Sequence, residues 1–483
     1  MNNQHDNPMS GQVFGQTSSA KDNEQFWRLI SVIAIIVCLI LLSWVGAKAI
    51  TEGSYGGVNG MLALAGCIVF VVPLLRKPVW GLYVLPFASL VFPNNTLIAG
   101  MPFLSPGLVV SAVTLASAVF GRMFHRRKVF FSFVFLILCV MVFFHVFEFD
   151  RSPAFFVGRL VQFIQGVIPY FLFAMMVRTE KQGRTIIVAW VLAYAMYSLL
   201  TAFSVGFVGE ENGFFSFRAA ARLRTAEFAG NPNIIGWIGL LCIPVLISLA
   251  LSAKKRAFKF LYWAAFASTM LVTTLVFSRA AMIGTVLTFL IIGGFMLQGS
   301  IFAGVRIRGG RILVVICMGI ALFGLVRISQ MAVEEKYIAD KTALNEEKLA
   351  PEVDKRWNMA ADGWLVVFAN PLRGIGFEHT ISTHSYFAKV ALEFGLFYLV
   401  LAILPFFLVL QKSFIMMHKA PREETRFMAF GIFVACCVAI PEAQFGMTLV
   451  GAGYAQFFYL YAAYLEVAER EQKQNLVGLG ESG

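Results

Sequence analysis

Charge is scarce in this sequence. Only 14% of its 483 residues are Asp, Glu, Lys or Arg, whereas 59% are hydrophobic; a soluble domain carries about 25% charged residues. That shortage leaves too little polar material to cover a second water-soluble domain, so nearly the whole chain belongs to apolar spans and the loops between them. Acidic residues are the rarer sign, 27 against 39 Lys and Arg, for a formal net charge of +12. A nucleic-acid role is set aside, because Lys and Arg between apolar runs serve first to retain loops in the cytoplasm. The cysteines, Cys38, Cys67, Cys139, Cys242, Cys317, Cys436 and Cys437, all lie inside apolar runs. They lack the paired spacing of a metal site and the loop placement of a disulfide framework, and read as small core residues. A Walker-type Gly-Lys-Ser/Thr loop is absent, as are paired carboxylates near the external face, so neither a nucleotide nor a metal is expected as cofactor. Convincing internal repeats, the mark of many secondary transporters, are absent too.

What the sequence has is a succession of long apolar runs. A hydrocarbon layer about 30 Å thick needs roughly 20 residues of helix. Runs of this kind fall at 26–47, 57–75, 79–97, 104–120, 129–148, 154–177, 185–207, 233–253, 260–277, 280–297, 312–327, 385–410, 426–443 and 450–467. Every lipid-facing amide must be paired within its own segment, so the expected fold is an all-α integral membrane protein, a polytopic helical bundle of about 12–14 transmembrane helices. Alternate loops are basic: Arg76 and Lys77; Arg122, Arg126, Arg127 and Lys128; Arg178, Lys181 and Arg184; Lys254, Lys255, Arg256 and Lys259; Arg306, Arg308 and Arg311; Lys412, Lys419, Arg422 and Arg426. This bias puts those loops and both termini in the cytoplasm. Residues 1–25 read as a disordered cytoplasmic tail, 26–467 as the membrane domain and 468–483 as a cytoplasmic C-terminal tail. The first span has no evident small-residue cleavage site and reads as an anchor.

Two segments stand out on the opposite, external side: 206–233 and the long loop 328–384. The loop begins with mixed charges at helical spacing, and its stretch WNMAADGWLVVFANP reads as an amphipathic or membrane-grazing helix ended by Pro371, so a small helical cap is expected there. The shorter segment carries Arg218, Arg222 and Arg224 against the positive-inside bias, just before a span opening at Asn-Pro-Asn. These arginines either face an anionic ligand or pair with Glu210, Glu211 and Glu227. Pro232 suits the first turn of a helix capped by Asn231, and such a helix start favours an anion.

Arg279 lies between two apolar runs with almost no loop to solvate it. It either snorkels to the interface or grips phosphate oxygens with its planar guanidinium. Arg159, with Gln162 and Gln165 at spacings of three, draws a polar stripe that suits either a ligand or interhelical hydrogen bonds. His384 lies where the long external loop enters the membrane, and an imidazole there can take a proton from a sugar hydroxyl near neutral pH. It is preferred to His379, which sits within the loop. Lys389 and Glu393, four residues apart, are expected to pair with each other.

Taken in order, Arg224–Asn233 (RTAEFAGNPN), Ser278–Gly284 (SRAAMIG), and Pro371–Gly376 followed by His384, Glu393 and Gly395 resemble the O-antigen ligase and polymerase superfamily. The resemblance covers roughly residues 130–465. It implies an inverting, metal-independent glycosyltransferase at the periplasmic face of the bacterial inner membrane, with an undecaprenyl-diphosphate-linked glycan as donor. The acceptor would be a saccharide, either lipid A core or a growing surface polysaccharide. By the same resemblance Arg224 and Arg279 hold the donor diphosphate and His384 assists the acceptor hydroxyl, with Arg222 and Arg159 as further diphosphate candidates and Asn233 and Ser278 in support. The chain departs from the family pattern in having Ser385 after the histidine and Glu227 near the first arginine, and Arg222 can replace Arg224 as the counterpart. A transporter or flippase of lipid-linked oligosaccharide is the competing class; it would show repeats and polar residues deep in several spans.

Overall fold

The computed structural model describes residues 77–91, 106–120, 153–207, 232–275, 279–298, 361–372, 385–445 and 452–480, with Leu74, 358–359 and 374–375 in addition. Among them every regular element is helical: α1 (Val79–Val91), α2 (Pro106–Phe120), α3 (Pro153–Met176), α4 (Glu180–Phe207), α5 (Pro232–Ser252), α6 (Arg256–Leu275), α7 (Arg279–Gln298), α8 (Tyr386–Phe394), α9 (Leu396–Lys419), α10 (Glu423–Phe445) and α11 (Ala452–Gly480). Three stretches are long and apolar enough to cross a membrane: Ile235–Ser252, Leu396–Lys419 and Glu423–Pro441. The apolar runs expected at 26–47, 129–148 and 312–327, nearly all of 57–75, the tail 1–25 and the first part of the long loop lie outside the described residues.

Local chemistry explains where the helices start and stop. Thr179 Oγ1 accepts from the Gln182 amide at 3.3 Å, while the Gln182 side chain accepts from the Arg178 amide at 3.2 Å, a capping arrangement that opens α4. Glu180 in the first turn of α4, and Glu423 and Glu424 in that of α10, suit the positive end of the helix dipole. The dipole also favours His418 and Lys419 in the last turn of α9. That helix stops because Pro421 pushes the residue before it out of the helical region: Ala420 has φ −64 and ψ 135.

α5 is the axis of the bundle, with 89% of its apolar window buried, against 33% for α9. It packs on α10, α6, α7, α11 and α4. Small residues let the backbones close up: a methyl group added at Gly431 of α10 would stand 2.9 Å from Val245 Cα. Large aromatics fill the remaining volume, among them Trp190, Tyr194 and Phe457, whose rings meet edge to face. Two of their polar tips reach main-chain carbonyls on neighbouring helices: Trp190 Nε1 donates to Leu82 O at 2.8 Å, and Tyr461 OH to Leu241 O at 3.1 Å.

The continuous span expected over 385–410 is replaced by a hairpin. In a straight helix Phe387 and Phe406 would stand about 28 Å apart at about 1.5 Å per residue; their ring centroids are 5.9 Å apart. The chain reverses at Gly395, whose φ of 90 and ψ of 173 suit glycine alone. The turn 371–375 clasps this reversal through two main-chain bonds, Ile375 N to Leu392 O and Leu396 N to Pro371 O, each 2.7 Å. Gly374, at φ 68, faces Leu392 so closely that a methyl group would stand 2.6 Å from its carbonyl oxygen. α8 therefore runs back beside α9 instead of leading into it. The helical segment 361–369 packs its Val367 against Ala391 and Leu392, next to the clasp.

Candidate functional site

Charged residues gather at one end of the bundle, where α4 and α10 begin and α9 stops. Arg184 pairs with Glu424. Arg422 bridges Glu471 at 2.9 Å and Glu180 at 3.4 Å. Glu180, with a side chain only 5% exposed, also accepts a 2.6 Å hydrogen bond from Tyr464 OH, and its amide donates to Glu471. Lys412 and Lys473 both reach Glu469, at 2.8 and 2.7 Å. Burial pushes the Glu469 carboxyl up, but hydrogen bonds and charge from the two lysines outweigh it and hold the group below its ordinary value. The basic loops around Arg184 and Arg422, read from sequence as lying on one side, thus do meet. The spacing of the sequence gives no sign that Glu424 of α10 takes Arg184 or that Glu471 of α11 takes Arg422.

The described positions of the expected site fall at the opposite end. Arg222, Arg224, Ser278 and His384 lie outside the described residues. Arg159, Asn233 and Arg279 are placed by their backbones, on α3, at the second residue of α5 and at the first residue of α7. Pro232 takes the first helical position, as its sequence context predicts. Leu240 of α5, Ala281 of α7 and Val438 of α10 form one buried cluster. A methyl group on Gly284 would stand 2.5 Å from Leu240 Cδ1, so this glycine of the SRAAMIG stretch sets how closely α7 approaches α5. α5 and α7 therefore run together with their starts towards the same end, that of α5 extending about 9 Å beyond Arg279 at about 1.5 Å per residue. Arg159 stands apart from them, since α3 meets α5 through α11: Gln456 Nε2 donates to Gln165 O at 2.9 Å and Tyr461 to α5. The acceptor is the Gln165 main-chain carbonyl and not a side chain of the polar stripe.

α8 contributes the next structural feature of the expected site. Ser385, which follows His384 in sequence, is buried and caps α8 through a 3.2 Å bond from the Ala388 amide. Lys389 and Glu393 pair at 3.5 Å, as expected from their spacing, with the Glu393 side chain buried. The reversal that sets α8 antiparallel to α9 was missed. Its signal was present: a charged pair and a Ser cap within an assumed span, bounded by Gly374 and Gly395. Among the described residues no group of three or more His, Cys, Asp or Glu could hold a metal ion. No protein-family model matches the chain, and no curated protein does.

Proposed function

We propose that this protein is a polytopic inner-membrane glycosyltransferase of the O-antigen ligase or polymerase type, working at the periplasmic face on an undecaprenyl-diphosphate-linked glycan. The reading rests on the order of three sequence stretches. One structural observation supports it most: α5 and α7, which carry Asn233 and Arg279 in their first turns, meet through Leu240 and Ala281 and both begin at the end away from the ion pairs. Two helices that begin at the same end direct the positive ends of their dipoles towards it, a field that favours a diphosphate. The three long apolar helices are compatible with membrane residence. The sidedness follows from the distribution of basic loops.

In the proposed step an acceptor hydroxyl oxygen attacks the anomeric carbon of the donor sugar from the face opposite the diphosphate. A new C–O bond forms as the bond to the phosphate oxygen breaks, inverting the configuration. The electron pair leaves with undecaprenyl diphosphate, and the hydroxyl proton passes to the His384 imidazole. Arg279 and Arg224, or Arg222 in its stead, stabilise the charge on the leaving diphosphate, the contribution of pre-placed cations in a partly dehydrated cleft. The sugar–diphosphate bond supplies the driving force, so no nucleotide is needed.

Purified protein in liposomes, given lipid-linked glycan with and without acceptor, tests this directly. Release of undecaprenyl diphosphate with chain growth identifies a polymerase, and glycan appearing on lipid A core identifies a ligase. Donor that crosses the bilayer unchanged would overturn the enzyme reading in favour of a flippase. His384→Ala should lower turnover more than donor binding.

A further inference from the structure

The turn between α5 and α6 and the first turn of α6 carry Lys254, Lys255, Arg256 and Lys259 within six positions, the first three exposed. Elsewhere at this end of the bundle Arg184, Lys412, Arg422 and Lys473 have carboxylate partners, and the exposed Arg178, Lys181 and Lys419, which have none among the described residues, do not form so dense a run. Among the described residues the four cations of the turn have none, although Glu424 lies on the neighbouring α10, where Arg184 takes it. Phe258 and Phe260, 50% and 77% exposed, stand among them, and the apolar stretch of α5 ends at Ser252, two residues before Lys254. Unneutralised cations and outward phenylalanines thus occupy the level at which an apolar span stops.

We infer that this turn is a binding site for the headgroup of an anionic phospholipid. The inference rests on the membrane part of the function proposed above. The phosphodiester accepts from Arg256 and the lysine ammonium groups, while Phe258 and Phe260 lie among the upper acyl carbons. Retaining a loop in the cytoplasm requires only the sign of its charge. It does not require that four cations stay free of acids beside exposed aromatic rings. Each cation near an anionic surface contributes about a fivefold gain in affinity at moderate salt, so the four together outweigh what a zwitterionic headgroup can offer.

The test uses the full chain in detergent, titrated with dioleoylphosphatidylglycerol, dioleoylphosphatidylcholine or inorganic phosphate, reading the thermal midpoint and the lipids retained in native mass spectrometry. Phosphatidylglycerol should raise the midpoint and be retained, with an affinity falling steeply with salt. The K254Q/K255Q/R256Q/K259Q variant should lose that preference by about tenfold or more, whereas Lys473→Gln, which removes a paired cation from the same end, should keep it. Equal responses to the two lipids, an equal response to inorganic phosphate, or an unchanged preference in the fourfold variant would each overturn the site. If that variant does not enter the membrane, K254Q/K255Q and R256Q/K259Q are read in its place against the same criteria. Extraction of wild-type membranes with alkaline carbonate separates the two failures. Release of the protein sinks the membrane reading itself, while retention with no lipid preference sinks only this site.

Discussion

At one end of the bundle Glu180, Glu424, Glu469 and Glu471 neutralise Arg184, Arg422, Lys412 and Lys473. At the other, α5 and α7 both begin and the Gly395 reversal is clasped by main-chain hydrogen bonds. The first end ties together segments far apart in sequence with side-chain charge. The second uses backbone geometry at Gly374 and Gly395 to set α8 antiparallel to α9. Helix starts that direct their dipoles outward suit an anionic substrate, whereas the ion pairs of the first end already satisfy one another. Substitutions at the first end should therefore be read in stability, and substitutions at the second in turnover.

Arg279→Ala is expected to give the largest effect. Loss of one charge-stabilising donor costs about 10²–10³ in turnover, and the thermal midpoint should stay near that of the wild type. Glycan transfer and melting measured on one preparation decide the matter. A large drop in midpoint with a proportionate loss of activity would mean that Arg279 holds the fold, and the contrast between the ends would fail. Arg279→Lys should also be poorly tolerated if the grip is bidentate.

Gly395→Ala comes next, and it tests whether backbone geometry governs the second end. A methyl group there would stand 2.5 Å from Leu372 O, at a φ that side chains rarely adopt. Backbone strain alone costs roughly 1–3 kcal/mol, and relief of the clash should break the clasp. Limited proteolysis should then open the 371–375 turn before the rest of the chain. An unchanged cleavage pattern would mean that the reversal does not depend on glycine.

Glu180→Ala should cost about 1–3 kcal/mol, chiefly because the buried Tyr464 hydroxyl loses its acceptor. Arg422 weighs less, since its side chain is 54% exposed and can turn to water. A double-mutant cycle with Tyr464→Phe should show strong coupling, and one with Arg422→Gln weak coupling. The reverse order would make this end a buried ion pair and not a hydrogen-bonded seam.

Much of this was legible in the sequence where the cause is local. Hydropathy located α2, α3, α5 and α7 to within a few residues, Pro232 opened α5, and the four-residue spacing paired Lys389 with Glu393. Periodicity does not carry direction, however. A run of apolar residues reads the same whether the chain continues through Gly395 or turns back there, and only the approach of Leu372 and Leu392 to the two glycines decides it. The charge network was invisible for a related reason. Positive-inside bias assigns Arg184 and Arg422 to a side, but their partners lie on α10 and α11, and no spacing rule links residues 180 and 471. Of the expected site, only the backbone positions of Arg159, Asn233 and Arg279 fall within the described residues.

The smallest effect should come from Glu469, and it sharpens the comparison because it separates charge from geometry. Its carboxyl titrates below its ordinary value in the folded protein, so folding favours the ionised form. The resulting stability is fully present above the unfolded value of about 4.3. It fades as pH falls through the lower folded value. The thermal midpoint of wild type should thus decline on the acid side, and Lys412→Gln combined with Lys473→Gln should flatten that part of the decline. No such flattening is expected from Gly395→Ala, because main-chain bonds do not titrate there. If the glycine variant altered the acid limb as much as the lysine pair did, the two ends would be one cooperative unit, and the division between an end that holds and an end that acts would have to be given up.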